Sequence, residues 1–200
     1  MKTISWEHTK TLFKWRSLLF LLLIMAVAGS FIGTVSAVVQ NMSWTFLSPL
    51  AFYGLMCGWI LAHYELKDAW AALVALLLGF LITFLRAGEL WEPLTALLEA
   101  TVDVLGDWAR LRRSADLGVW LTLWEQLKVQ TGNILNILGH WVWDLLGGQP
   151  TYSFLVSNFL WGLATWILSN WLSWTVRRYY RPVWGFLPMG GLMGILLTYL

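Results

Sequence analysis

The stretch SLLFLLLIMAVAGSFIGTVSAVV, residues 17–39, runs for 23 residues without a charged side chain. As an α-helix it is about 34 Å long, enough to cross a hydrocarbon core of about 30 Å. The remainder of the 200-residue chain is of the same character, since 58% of all residues are hydrophobic and 12% charged, with a mean hydropathy of +0.65. Too little polar surface is available to cover a water-soluble domain, so the chain reads as an all-α polytopic membrane protein with about five transmembrane helices. Its 16 tryptophans fit that reading, because amphipathic rings collect where a chain crosses the headgroup level.

Four further apolar stretches lie outward from the first. Residues 46–64 form the second and residues 69–85 the third, framed by Asp68 and Arg86, with Trp70 extending it into the interface. Residues 152–176 give a fourth, and residues 183–200 a fifth that no polar residue closes, as expected of a chain continuing beyond Leu200. The expected organisation is a basic cytoplasmic N-terminus (1–16), three transmembrane helices (17–85), an extracytoplasmic amphipathic helical segment (86–150), and two transmembrane helices joined by a basic cytoplasmic turn (151–200). A cleaved signal peptide is the rival reading of the first stretch, with Lys2, Lys10, Lys14 and Arg16 as its basic region and Val35-Ser36-Ala37 as its cleavage site. Retention is favoured, because the apolar run exceeds a usual signal core and Gly29, Gly33 and Ala37 form a small-residue row suited to packing on a neighbour.

Charge sets the expected orientation. With five spans, Lys2, Lys10, Lys14, Arg16, Lys67, Arg177, Arg178 and Arg181 share one side, while Arg86, Arg110, Arg112, Arg113 and Lys128 share the other. Cytoplasmic loops are enriched in Lys and Arg, so the N-terminus is expected on the cytoplasmic side, with Lys10, Lys14, Arg16, Arg177, Arg178 and Arg181 as the main determinants.

Residues 86–150 are neither apolar enough to span nor polar enough for a plain loop. Trp91, Leu94, Leu98, Thr101, Leu105, Trp108 and Leu111 recur at helical spacing, as do Leu117, Trp120, Leu121, Trp124, Leu127, Ile134, Leu138, Trp141 and Leu145, interrupted by Gly132 and Gly139. Two or three helices lying on the outer membrane surface or folded onto the spans are expected. A span through residues 119–138 is rejected, because it would bury Glu125, Lys128, Asn133 and Asn136 and reverse the side of the Arg177 to Arg181 cluster.

Residues able to carry chemistry are scarce. Glu99, Asp103 and Asp107 share one helix face, but Arg110 and Arg113 lie within a turn, so a solvated polar face accounts for them. His140 and Asp144, four apart, make half of a metal or proton-relay site with no second histidine nearby, and read as an interfacial hydrogen-bonding pair. Cys57 and His63 lie six apart and face different ways on a helix, so no nucleophile and base come together. Five spans without Asp, Glu, Lys or Arg argue against an ion-coupled carrier. Asn158, Thr165, Ser169, Asn170 and Ser173 give the fourth span a polar side, read as interhelical hydrogen bonding. Gly54 and Gly58 in the second span and Gly190 and Gly194 in the fifth join Gly29 and Gly33 as expected helix-packing positions. Pro188 and Gly190-Gly191 would be where the fifth helix breaks, if it breaks. No catalytic, cofactor-binding or metal-binding residue is assigned, membrane lipids are the expected partners, and the dispersed basic residues exclude nucleic acid.

The last third carries a resemblance. Trp141 to Asp144 before a short polar gap, Phe154-Leu155 opening a Trp-rich span, Trp171-Leu172-Ser173-Trp174 closing it, then Arg177-Arg178-Tyr179-Tyr180-Arg181-Pro182 and Trp184-Gly185-Phe186-Leu187-Pro188 resemble the N-terminal membrane region of bacterial TgpA-type transglutaminase-like proteins. Over the first 150 residues the likeness is one of architecture only. In that family an extracytoplasmic transglutaminase domain with a Cys-His-Asp triad follows the membrane region, and none of it maps onto this chain. The resemblance implies a non-catalytic anchoring module for an extracytoplasmic domain or other membrane subunits. The alternative is a small multi-pass transport or channel component, and a further one a lipid-acting intramembrane enzyme.

Overall fold

The computed structural model describes residues 6–64, 67–111, 117–149, 151–179 and 181–199, and the side chains of 6–18 and 107–111 fall outside the description. The described residues form seven α-helices and no strand: α1 (Trp6–Val38), α2 (Trp44–Leu61), α3 (Asp68–Ala87), α4 (Trp91–Leu111), α5 (Gly118–Leu146), α6 (Phe154–Tyr179) and α7 (Pro182–Leu197). Each of the five apolar stretches and both amphipathic stripes lies mainly on one of these helices. Lys10, Lys14 and Arg16 extend α1 before its apolar part, though their side chains, like Asp116, lie outside the described residues.

Among the described residues, three helices are long and apolar enough to cross a membrane, over Leu19–Val38, Trp44–Leu61 and Asp68–Ala87. The α7 helix is apolar but has only 16 residues, and α6, at 26 residues, is long enough but less apolar. Of the about five spans expected from the sequence, three are therefore matched by described helices on length and composition. The α6 shortfall has a local cause: Thr165, Ser169, Asn170, Ser173 and Thr175 sit on it, and all are buried among other helices. A helix shielded by its neighbours does not need an apolar surface.

The chain forms two compact units, Met1–Gly79 with Leu163–Leu200, and Phe80–Gly162. In the first, α1 packs on α2 and α7. Its inner face is Ile24, Ala28, Phe31, Ile32 and Val35, an i, i+4, i+7, i+8, i+11 row. On α2 the buried row is Leu47, Leu50, Ala51, Gly54, Leu55, Gly58 and Leu61. Ser43 caps α2 by accepting from the Phe46 N–H at 3.2 Å. The outward faces are the reverse of those of a water-soluble bundle, with Leu19, Leu22 and Leu23 on α1 and Leu73, Leu76 and Leu77 on α3 exposed while hydroxyls and an amide are enclosed. Lipid as the surrounding solvent accounts for that inversion.

In the second unit, α4 packs against α5. Leu90 is buried at the α3 to α4 corner, where Glu89 takes φ 53° and the Leu90 N–H returns to the Leu85 carbonyl at 2.8 Å, ending α3. The α4 stripe is rotated from its sequence expectation. Leu97 is buried and Thr101 half-buried, whereas Trp91, Leu98 and Leu105 are exposed. Thr101 decides the rotation by accepting the Trp120 indole N–H at 3.0 Å. On α5 the half-buried or buried positions are Trp120, Leu127, Ile134, Leu138 and Trp141, while Leu121, Trp124 and Leu145 are exposed. Neither Gly132 nor Gly139 interrupts α5, because an isolated glycine costs a helix only about 1 kcal/mol. The helix ends at Gly148, whose φ of +75° favours glycine.

Candidate functional site

The residues brought together most closely centre on α6. Gly54 and Gly58 on α2 meet it where no side chain would fit: a Cβ on Gly54 would lie 2.8 Å from the Trp166 carbonyl oxygen, and one on Gly58 would collide with the Asn170 carbonyl and Ser173 Oγ. From α7, Gly185 makes a close but less exclusive contact with Leu172, a would-be Cβ lying 3.2 Å from its carbonyl oxygen. On α3, Gly79 faces the Trp166 indole. Trp166, 2% exposed, donates its Nε1–H across to the Ala75 carbonyl at 2.9 Å.

Of the helix-packing glycines expected from sequence, Gly54 and Gly58 thus stand in close contact, and Gly29 and Gly33 lie in ordinary contact with the Trp44 ring, at 3.8 and 3.7 Å from a would-be Cβ. Gly190 and Gly194 do not pack: a Cβ on either would meet nothing within 4 Å. The α7 helix runs unbroken through Pro188 and turns Gly185 and Met189 inward instead, which leaves the Gly190 and Gly194 row facing out. Sequence reasoning missed Gly79, Gly185 and Trp166. A signal existed for the first, because Ala71, Ala75, Gly79 and Thr83 recur every four residues and all are buried.

Between α3 and α6 lies a cavity of about 170 Å³, lined by Leu61, Ala71, Ala75, Trp166, Asn170 and Trp174 among others. The Thr165, Ser169 and Thr175 hydroxyls, Asn170 Nδ2 and Trp174 Nε1 are buried and have no hydrogen-bond partner among the described residues. Ser173 Oγ donates back to the Asn170 carbonyl at 3.2 Å. No ionisable group lines this cavity, so its chemistry is that of neutral donors and acceptors. Cys57 packs on the cluster of Leu61, Ala71, Ala75 and Trp174, while His63 sits in the turn after α2 with its ring against Tyr64, so the structure does not bring thiol and imidazole together.

One end of this unit is closed by polar contacts. Arg178 pairs with Asp68 at 3.3 Å and donates to the Tyr64 carbonyl at 3.2 Å, the Tyr179 hydroxyl donates to Asp68 Oδ2 at 2.6 Å, and Arg177 lies 4.6 Å from the Trp59 ring centroid. The α2 to α3 turn and the C-terminal end of α6 therefore share one end of the bundle. The Asp68 carboxylate holding its proton raises the Tyr179 phenol above its ordinary value, with burial and the Asp68 charge adding to it. The neutral phenol is the form favoured on folding, so its contribution is complete below pH of about 10 and is lost as pH rises through the raised value. Tyr179→Phe should lower the melting temperature at pH 8, and the gap from wild type should close as pH is taken above about 10. A gap that stays constant across that range would rule out the phenol as its source.

The remaining candidates stay apart. Glu99 and Asp103 are exposed on α4 with Asp107's side chain outside the description, and no group of three or more His, Cys, Asp or Glu that could hold a metal ion occurs among the described residues. No hydrogen bond joins His140 to Asp144 among the described residues, and the Asp144 carboxylate accepts instead from the Thr151 hydroxyl at 3.2 Å.

No family model matches the chain, and no curated protein or solved structure does.

Proposed function

We propose that the chain is a multi-pass membrane domain that anchors and scaffolds, holding an extracytoplasmic domain or other membrane subunits at a bacterial cytoplasmic membrane. The observation that carries this reading is the way α6 is held. Glycines of α2 and α7 meet its backbone, Gly79 of α3 meets its Trp166 indole, and its hydroxyls are buried, an arrangement that builds a rigid body rather than a reactive centre. On this reading α6 and α7 are the fourth and fifth spans, α6 being admitted to the membrane because its polar face is covered. The resemblance of residues 141–188 to the membrane region of TgpA-type transglutaminase-like proteins agrees with it, and the absence of Asp, Glu, Lys and Arg from the apolar stretches removes the usual means of ion coupling.

The orientation proposed places the N-terminus, Lys67 and the Arg177 to Arg181 cluster in the cytoplasm and residues 86–150 outside. Single cysteines at positions 67, 116 and 181 in a Cys57→Ser background test it. In intact cells an impermeant thiol reagent should label position 116 alone. Labelling at 67 or 181 would reverse or dismantle the topology.

The rival transport or channel reading draws on the unpartnered hydroxyls of α6. Protein in liposomes that passed an ion or small solute, with flux removed by Asn170→Ala or Ser169→Ala, would favour it over anchoring.

A further inference from the structure

A second cavity, of about 350 Å³, lies within the Phe80–Gly162 unit, where the C-terminal part of α5 meets the start of α6. Its size suits a small ligand group. Three aromatic rings, Trp141, Tyr152 and Trp161, line it together with the hydroxyl-bearing Thr151, Ser153 and Ser157. No Lys, Arg or His is among its lining residues. Thr151 donates its hydroxyl to Asp144 at 3.2 Å, which places a carboxylate next to one of the lining residues. That carboxylate has no cationic partner among the described residues. In sequence, residues 80–162 carry eight Asp and Glu against five Lys and Arg, a net negative balance that favours cations over anions.

Aromatic rings attract a cation through their quadrupole, and such walls with a nearby carboxylate are the means by which proteins recognise organic ammonium groups. The geometry points to an ammonium-binding site formed by Trp141, Tyr152 and Trp161 with Asp144 next to Thr151, taking a choline-like or ethanolamine-like cation. Ser153 and Ser157 in the lining supply hydroxyls of the kind that pairs with the oxygen such head groups carry two carbons from nitrogen. A metal ion is a poorer fit, because a single carboxylate and hydroxyls give too few hard ligands. An apolar chain is a poorer fit as well, since it would leave the hydroxyls without partners. The site rests on this unit alone and does not depend on the anchoring reading.

The test uses the full chain in phosphatidylglycerol nanodiscs, titrated with choline chloride by calorimetry against sodium chloride at matched ionic strength. Choline should bind saturably, and 3,3-dimethylbutan-1-ol, its neutral carbon isostere, should not bind at the same concentrations. Trp161→Leu should weaken choline about tenfold by removing one ring. Asp144→Asn, at a half-exposed position where the fold is not at stake, should weaken it about fivefold. Repeating the titration in phosphatidylethanolamine discs separates the sources: a weaker apparent affinity there identifies a lipid head group as competitor, and an equal one identifies a soluble amine. Equal binding of the neutral isostere, no binding of choline above the salt control, or unchanged affinity in both variants would overturn the assignment.

Discussion

Gly58→Leu is expected to abolish folded protein, and Gly58→Ala to destabilise it by about 1–3 kcal/mol, the cost of forcing volume into a close-packed contact. The atoms in the way are the Asn170 carbonyl and the Ser173 hydroxyl, and a backbone carbonyl of a surrounded helix cannot rotate aside as a side chain can. Alanine also favours a helix interior over glycine by about 1 kcal/mol, so the observed loss is the clash less that gain. The sign should invert at Gly190 and Gly194. There an added methyl meets nothing within 4 Å, and alanine should be neutral or stabilising by up to about 1 kcal/mol. Unfolding curves of the three alanine variants in detergent micelles, followed by tryptophan fluorescence or circular dichroism, give the comparison. Equal losses at Gly58 and Gly190 would mean that small residues matter here for helix flexibility and not for close approach.

Trp166→Ala should be nearly as damaging, by about 3–5 kcal/mol, because it removes the largest fully buried side chain and opens its volume into the adjoining cavity of about 170 Å³. Two contributions can be separated. Trp166→Phe keeps most of the ring and loses the hydrogen bond to the Ala75 carbonyl, at a cost of about 0.5–1.5 kcal/mol plus the smaller volume change. Packing therefore dominates, and the phenylalanine variant should unfold much closer to wild type than to the alanine variant. Gly79→Ala acts from the opposite side, since its new methyl would displace the indole from Ala75. Combining Gly79→Ala with Trp166→Ala should cost less than the two singles added together, as the methyl then enters vacated space. Full additivity would show that Gly79 and Trp166 do not share one contact.

Much of this organisation was legible along the chain because it follows from what a helix must present to lipid. The charge-free length of residues 17–39 and the Leu-rich character of residues 69–85 fix helices that can cross a membrane, and the recurrence of Leu and Trp through residues 91–145 fixes amphipathic helices. Gly54 and Gly58 were legible as packing positions because they lie four apart in an apolar helix. The same rule failed at Gly190 and Gly194, which have identical spacing and no neighbour. Spacing places residues on one face of a helix, but does not say which face meets another helix.

Which face is buried was decided only by the tertiary structure. Thr101 draws Trp120 onto α4 and turns its Leu98 and Leu105 outward, and Trp166 reaches Ala75 because Gly79 leaves room for the indole. The cavity between α5 and α6 likewise joins Trp141 to Trp161 across a turn whose local sequence shows no such convergence. The sequence by itself determined that the chain is helical and where its helices run, since these depend on local periodicity and hydropathy; of the about five spans it suggested, three described helices are long and apolar enough for a bilayer. The tertiary structure decided that α6, the least apolar of the five apolar stretches, is the helix against which α2, α3 and α7 pack. The reason is that a polar helix in an apolar solvent is stabilised by partners far away in sequence, and hydropathy measured along one segment cannot contain them.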